Sequence, residues 1–397
     1  MVSFRNRLKG WRLARYIERR RYFLYCRKIK RKNRRLYSKG NQSYQEQFKL
    51  LPGEDVLAEV CLTKKKINVG ELLVICPKGS LVINLPQVFD FEKNYHESSM
   101  VVSVFRRAVA RKMKISYISF ERIRQISPSC IMVFMAYADL WKSYACKVRT
   151  ETQTWVPSVV RAFTEIGFFS LLGFKPPTCA ESDDGGRTYM PIITKNISPN
   201  CHVDIGHLTI EIQRQIEAFF QISLDGVRLY DSVTEAISNV YGHAYKNMSM
   251  GNFPRRWWMS VSYDVKSAEL GIILFDYGLG IPSTMKNSTK FDVYRRLVNK
   301  IGGDWSERFR LSVAFERDRC KNRGNVSLVA GRGHGCRDML RLVSQKDQNE
   351  IKQGSTFTVI SGRARYDYEE GNNDGRGISE SLNTKLQGTL IEWRIKL

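Results

Sequence analysis

The sequence lacks the features of several protein classes. Its nine cysteines are scattered, odd in number and never spaced as C-x-x-C. This distribution argues against a disulfide framework and against a zinc site, and it favours a reducing compartment. The longest apolar stretch, residues 130–138, is too short to span a bilayer, and no apolar segment near Met1 resembles a secretory signal. We therefore expect a soluble, cytoplasmic protein.

Acidic residues are few beside basic ones, since 39 Asp and Glu against 64 Lys and Arg give a net charge of +25. Residues 1–40 alone carry +15. Five aromatic residues are interleaved with that charge: Trp11, Tyr16, Tyr22, Phe23 and Tyr25. This mixture suits phosphate contacts and base stacking in a nucleic acid. It equally suits an anionic membrane surface or a protein partner, and a solubilising tail is the third interpretation. We interpret residues 1–47 as a basic arm.

The length of 397 residues allows two or three domains. After a polar segment that ends in Pro52-Gly53, strand-like runs alternate with helical patterns. The predicted strands are 56–62, 71–76, 80–85 and 114–120, and the predicted helices are 129–142 and 158–172. This alternation predicts an α/β sandwich with a mixed sheet for residues 54–175. Residues 176–200 are rich in Pro, Gly, Ser and Asp, and we predict a linker there with one strand at 189–194.

Residues 227–245 show apolar positions at steps of three and four, which predicts an amphipathic helix. Glu235 and Asn239 are four residues apart and therefore lie on one face of it. Magnesium prefers oxygen ligands, so the Asn239 carbonyl could hold this ion without adding charge. Glu235 could then orient or deprotonate an attacking hydroxyl or water. The alternative is a solvent-exposed polar stripe.

A second motif lies in residues 271–282, where a short apolar run ends in Asp276 and is followed by Gly278 and Gly280. An apolar run closed by glycines is typical of a buried strand that enters a tight loop. An acidic side chain at the end of such a strand can accept a hydrogen bond from an amino group, such as that of adenine.

A third motif, GRGHG, places glycines at positions 331, 333 and 335. Alternate glycines let the backbone approach a ligand closely. Met339, Leu340 and Val343 predict a helix just beyond. Free N–H groups at the start of such a helix suit a phosphate.

These motifs, E-x-x-x-N, D-x-G-x-G and G-x-G-x-G in this order, resemble the GHKL ATPases, which include gyrase, Hsp90, histidine kinases, MutL and the anti-sigma-factor kinases. The resemblance covers about residues 201–397 and implies a Bergerat-type mixed sheet with helices on one face. It implies that Glu235 is the catalytic base, Asn239 the Mg²⁺ ligand and Asp276 the adenine-binding residue. Residues 283–330 would form the ATP lid. The further ATP-binding residues that it implies are Gly278, Gly280, Gly331, Gly333, His334, Gly335 and Thr389.

The region before it resembles a STAS domain, because a central strand leads into a helix through a short serine-containing turn. In STAS domains this turn carries a phosphorylated serine, and Ser129 stands at the matching position. The match is imperfect, since Ser127 replaces the usual Asp and Cys130 the usual Gly. The alternative is that Ser127 caps the helix and Pro128 is its first residue, where the missing N–H costs nothing.

Together the resemblances imply a regulatory switch that binds ATP and hydrolyses it with Mg²⁺. Its nucleotide state would control how the STAS-like domain and the basic arm engage a protein partner or a nucleic acid. One alternative is a serine/threonine protein kinase of the anti-sigma-factor type. Another is a catalytically inactive module that binds nucleic acid or protein. A homodimer is left open.

Overall fold

The structure is a computed structural model, and it describes twelve segments of the chain. They are residues 67–69, 73–75, 81–110, 115–142, 155–173, 186–198, 203–246, 255–286, 305–321, 335–344, 354–371 and 377–397. The basic arm, the strand predicted at 56–62, and residues 287–304 and 322–330 of the implied ATP lid lie outside them. Within these segments, no helix combines the length and the apolar character that a membrane span requires.

The amino-terminal part combines a small mixed sheet with helices. In chain order its elements are β1 (Ile67–Val69), β2 (Leu73–Ile75), β3 (Leu81–Asn84), β4 (Val88–Phe89), α1 (Tyr95–Ala110), β5 (Ile115–Ser119), β6 (Gln125–Ile126), α2 (Pro128–Lys142), α3 (Pro157–Glu165) and α4 (Phe168–Leu172). The sheet order is β1-β2-β3-β5. The pairs β1–β2 and β2–β3 are antiparallel. The pair β3–β5 is parallel, because α1 provides the crossover that parallel strands need. A mixed sheet for this region is therefore confirmed.

The carboxy-terminal part is built on a six-stranded sheet. Its elements are β7 (Arg187–Tyr189), β8 (Ile193–Asn196), α5 (Ile205–Phe220), α6 (Gly226–Asn239), β9 (Arg256–Asp264), β10 (Glu269–Asp276), α7 (Ile281–Lys286), α8 (Glu307–Lys321), α9 (Gly335–Asp338), β11 (Thr356–Glu369) and β12 (Ile378–Lys396). The strand order is β11-β12-β10-β9-β7, and β8 also pairs with β9.

Every strand pair described in this sheet is antiparallel, which corrects the prediction of a mixed sheet. The reason is local connectivity, because β9 joins β10 through a four-residue turn, and β11 and β12 are likewise consecutive neighbours. Strands joined by such short connections must run in opposite directions. The fold class is thus mixed α and β, and the described residues form one mixed sheet, one antiparallel sheet and a small parallel sheet of β4 and β6.

Helices cover both faces of the six-stranded sheet, which corrects the prediction of helices on one face. Ile272 and Leu274 of β10 belong to a core with α5 and α6. Ile273 and Phe275 belong to a second core with α1 and α2. Side chains alternate between the faces of a strand, so a strand that is apolar at every position must be covered on both sides.

Several predicted elements differ in detail. The helix predicted at 158–172 is two helices, α3 and α4, separated by Gly167 with φ +91°. The strand predicted at 189–194 is β7 and β8 on either side of Pro191, which has no N–H for a sheet ladder. The helix after the glycine loop ends at Asp338, so Met339, Leu340 and Val343 lie in turns. Two long helices, α1 and α8, were not predicted.

Candidate functional site

The helix α6 positions the first pair of candidate residues. Asp225 caps it, because its carboxylate accepts hydrogen bonds from the backbone N–H groups of Val227 and Arg228 at 3.1 Å each. The apolar stripe of the helix is buried against the sheet: Leu229, Val233, Ala236 and Ile237. Glu235 and Asn239 therefore lie on the flank of the helix, where both are half-buried.

Glu235 and Asn239 form a hydrogen-bonded pair. The Asn239 side-chain N–H donates to the backbone oxygen and to the Oε1 of Glu235, at 3.0 Å in both cases. The amide nitrogen is thus occupied, and the carbonyl oxygen is the atom that could serve a cation. No group of three or more His, Cys, Asp and Glu side chains among the described residues could hold a metal ion. A cation at Asn239 would therefore complete its coordination shell with water and with ligand oxygens, as Mg²⁺ commonly does.

The electrostatic environment raises the pKa of Glu235. Burial raises the pKa of its carboxyl group, the nearby Asp338 carboxylate raises it further, and the hydrogen bond from Asn239 acts in the opposite direction. A carboxylate with a raised pKa is a stronger proton acceptor, which is the property that a general base requires.

The segment after the glycine loop is attached to α6 beside Glu235. The Ser232 hydroxyl donates to the backbone oxygen of Asp338 at 3.0 Å and accepts from the backbone N–H of Leu342 at 3.1 Å. Cys336 lies between the glycine loop and Asp338. Burial and the charge of Glu235 raise the pKa of its thiol to about 12. Gly335 is the first residue of α9, so the structure brings the end of the glycine loop close to Glu235. Gly331, Gly333 and His334 lie outside the described residues.

A polar row crosses three neighbouring strands at the end of the sheet. Asp276 of β10 lies directly opposite Thr389 of β12, which lies opposite Ser361 of β11. The Asp276 carboxylate accepts a hydrogen bond from the Gly278 N–H at 2.7 Å and another from the Thr389 side chain. Ser361 and Thr389 hydroxyl oxygens are 3.2 Å apart. The row lies on the α6 face of the sheet, because Asp276 continues the alternation of Ile272 and Leu274.

Asp276 is a buried acid with few hydrogen-bond donors. Only 3% of its surface is exposed, and burial raises its pKa to about 7 against the two hydrogen bonds that lower it. Among the described residues, the titratable side chain that interacts with its charge is Tyr245, whose own pKa is raised by burial. One more hydrogen bond donated to this buried carboxyl group would stabilise its ionised form.

Glycines make the tight packing around Asp276 possible. A Cβ atom at Gly278 would overlap Ala244, and one at Gly388, where φ is +97°, would overlap the backbone oxygen of Asp276. The Leu279 N–H donates to the backbone oxygen of Ala244 at 2.8 Å. Ala244 ends the π-helical turn Val240–Ala244, which continues α6 directly after Asn239. This turn therefore links the Glu235–Asn239 pair to the Asp276 loop, and Gly280 ends that loop before α7.

Ser129 lies apart from this site. It is in α2, which packs on the opposite face of the six-stranded sheet, and only 3% of its surface is exposed. The capping alternative for its neighbours is confirmed, since Ser127 accepts from the Cys130 N–H at 3.3 Å and Pro128 begins the helix. The role of Ser129 as phosphoacceptor stays a prediction, and its buried hydroxyl does not face the Asp276 row.

Three residues of the site were not predicted from the sequence. Ser361 joins the polar row, Asp338 adds charge beside Glu235, and Tyr245 supports the Asp276 loop by accepting the Tyr277 N–H at 3.1 Å. Ser361 carries no local signal, because it reaches the site only through the pairing of β11 with β12. Asp338 follows the last glycine of the loop by three residues, which is a usable signal once the loop is identified.

The chain matches no protein-family model and no curated protein.

Proposed function

We propose that the chain is an ATP-binding protein of the GHKL type that hydrolyses ATP with Mg²⁺ and acts as a regulatory switch. One observation carries the proposal. A buried acid, Asp276, stands at the end of a sheet beside a glycine turn, on the same face as the Glu235–Asn239 pair. The π-helical turn joins the two parts through Ala244.

In this proposal Asp276 accepts a hydrogen bond from the adenine amino group. Its carboxylate is buried, and the two donors that it has leave its pKa at about 7. A third donor would favour the ionised form, so binding an amino group there lowers the free energy of the complex. Thr389 keeps the carboxylate in place from the neighbouring strand.

Glu235 and Asn239 would act on the phosphates. Magnesium, when bound, would neutralise phosphate charge and polarise the transferred phosphoryl group. The residues fit this ion, because the Asn239 carbonyl oxygen is a neutral ligand and its amide N–H groups hold the Glu235 carboxylate in place. Glu235, with its raised pKa, would take the proton of the attacking water.

The regulatory part of the proposal concerns the STAS-like region and the basic arm. Helices α1 and α2 pack directly on the sheet that carries Asp276, which supports a link between nucleotide state and the amino-terminal part. The arm, residues 1–47, would engage a nucleic acid or a protein partner. Binding assays with RNA and DNA at two salt concentrations test the hypothesis that the arm binds a nucleic acid. The absence of affinity at low salt would contradict this hypothesis.

An assay with radiolabelled ATP tests the enzymatic proposal. We expect the full chain to release free phosphate, and Glu235→Ala to keep ATP binding while turnover falls by about 100-fold or more. Asn239→Ala should weaken binding that depends on magnesium. Glu211→Ala changes an exposed acid on the neighbouring helix α5 and should leave both properties unchanged.

Four other results are informative. Label on the protein itself would favour the serine/threonine kinase alternative. Neither label nor phosphate, together with ATP binding, would favour an inactive binding module. Calorimetry that shows no interaction with magnesium nucleotide would contradict the proposal as a whole, and so would Glu235→Ala with wild-type turnover.

A further inference from the structure

Tyr277 links the candidate site to the helices on the other face of the sheet. It follows Asp276 directly, but its side chain is buried in the core of α1 and α2, with 5% of its surface exposed. Its ring meets the ring of Tyr137 of α2 edge-on, with centroids 5.4 Å apart. Its hydroxyl is hydrogen-bonded to the side chain of Arg106 of α1. One residue thus contacts both helices.

The backbone around Tyr277 transmits its position to the site. The Tyr277 N–H donates to the Tyr245 hydroxyl at 3.1 Å, and the next N–H, of Gly278, donates to the Asp276 carboxylate at 2.7 Å. Three consecutive residues therefore face three directions: Asp276 the polar row, Tyr277 the helices and Gly278 the π-helical turn. The two rigid peptide units that flank Tyr277 share its Cα atom, so a change in side-chain packing that shifts this Cα atom also shifts the backbone of Asp276 and Gly278.

The polar groups around Tyr277 are not optimal for stability. The Tyr137 hydroxyl and the Arg106 Nε are buried, and neither atom has a hydrogen-bond partner within the described part of the chain. A buried polar atom without a partner lowers stability, and apolar side chains of similar shape would avoid this loss. The contact of Arg106 with the Tyr277 hydroxyl is thus a directional polar contact in a largely apolar core, and it constrains where the Tyr277 ring lies.

We propose that Tyr277 is a positioning residue through which α1 and α2 hold the Asp276 carboxylate and the Gly278 turn in their binding geometry; the inference rests on the proposed function. The amino-terminal helices are then part of the nucleotide-binding machinery rather than only its target. Coupling between two sites is reciprocal, so nucleotide binding also stabilises the packing of α1 and α2 on the sheet.

Calorimetric titration of the full chain with magnesium ATP tests this role. Tyr277→Phe removes the hydroxyl and keeps the ring, and Arg106→Met removes the hydrogen-bond donor together with the unpaired Nε. We expect each variant to weaken ATP binding about tenfold, and the double variant to be no weaker than either single one, because both remove the same interaction. Tyr189→Phe is the matched control, since it changes a buried tyrosine of the same core on the edge strand β7.

A second readout does not depend on ATP. The free energy of unfolding of each protein is measured between pH 5 and pH 8. Its difference from that of Asp276→Asn, which has no carboxyl group at this position, gives the midpoint of the Asp276 titration. Within the described segments, the groups that face Asp276 are the Tyr245 phenol, the Gly278 N–H and the Thr389 hydroxyl. If Tyr277 holds Asp276 in its buried position, the midpoint of this titration moves to lower pH in Tyr277→Phe and stays in place in Tyr189→Phe.

The outcomes separate the two claims. Weaker ATP binding and a shifted titration in Tyr277→Phe, with neither in the control, support the positioning role. A lower stability of Tyr277→Phe with wild-type ATP affinity and wild-type titration overturns it, because Tyr277 would then only fill space. A wild-type protein that binds no ATP, with a titration that still shifts in Tyr277→Phe, overturns the proposed function and supports the positioning of Asp276.

Discussion

At the scale of single residues, Asp276 shows a conflict between stability and binding. Its pKa is about 7 in the folded protein because of burial, against an ordinary value near 4 in an unfolded chain. Between these two values the folded state holds a proton that the unfolded state has lost. Stability therefore decreases as pH rises through this window, by up to about 1.4 kcal/mol per pH unit. A site that binds its ligand through the ionised carboxylate retains Asp276 in spite of this loss of stability.

Asp276→Asn should therefore stabilise the free protein at neutral pH. An amide oxygen can still accept the Gly278 N–H, and it carries no charge to bury. We expect its unfolding free energy relative to wild type to grow by roughly 2 kcal/mol from pH 5 to pH 7 and to level off above. Denaturant unfolding at four pH values measures this difference. Parallel pH profiles of the two proteins would contradict a raised pKa at Asp276.

The same carboxyl group should make ATP binding depend on pH. An amino-group donor binds the ionised form, so the wild-type association constant should rise with pH below 7, by at most about tenfold per unit, and become constant above it. Calorimetry in two buffers with different ionisation enthalpies should show a proton released on binding at pH 6. An affinity that is independent of pH between 6 and 8 would mean that Asp276 does not contact the ligand through its charged form.

At the scale of elements, the sequence predicted those with a strong local pattern. Helix α6 and strand β10 lie where the apolar periodicity placed them, since each carries its signal within one short window. Helix α1 was missed because Ser98 and Ser99, both buried, interrupt its apolar stripe near the start. The position of Ser361 was not predictable, because strand register between β11 and β12 depends on contacts that no local pattern encodes.

The pairing of β10 with β12 should depend on Gly388. A Cβ atom there would overlap the backbone oxygen of Asp276, which cannot move without breaking the ladder, and φ is +97°. We expect Gly388→Ala to cost about 3 kcal/mol or more in unfolding free energy and to weaken ATP binding. Gly354→Ala is the control, because φ is +88° and no atom lies within 4 Å of its Cβ position. That variant should cost only about 1 kcal/mol of backbone strain. Equal losses in denaturant unfolding would show that the strand contact does not matter.

At the scale of the whole molecule, the six-stranded sheet is shared by two cores. Trp258, Phe275 and Ile360 on one face pack with the amino-terminal helices, and Trp257, Leu274 and Val359 on the other pack with α5 and α6. The predicted division at residues 54–175 and 201–397 stays a prediction of domain bounds. The sequence shows that β10 is apolar on both faces, but nothing in a linear pattern shows which helices cover each face.

The contact across this shared face should make unfolding cooperative. Asp139 of α2 accepts hydrogen bonds from the Trp258 indole N–H at 3.0 Å and from Arg256 of β9. Asp139→Ala leaves both donors without this partner in a largely buried place, so we expect a loss on the order of 3 kcal/mol. Asp231→Ala removes an exposed ion pair with Arg341 and should cost at most about 1 kcal/mol.

The decisive measurement is whether two spectroscopic probes report the same midpoint in the denaturant unfolding of Asp139→Ala. Tryptophan fluorescence is weighted towards the sheet, which buries Trp257, Trp258 and Trp393 while the amino-terminal core buries Trp155, and far-ultraviolet circular dichroism reports on all helices. If α1 and α2 form one cooperative unit with the sheet, both midpoints fall together, because neither layer can leave the other's apolar face exposed to water. If the amino-terminal part unfolds separately, the circular dichroism midpoint falls first, and the nucleotide site could not be positioned through Tyr277.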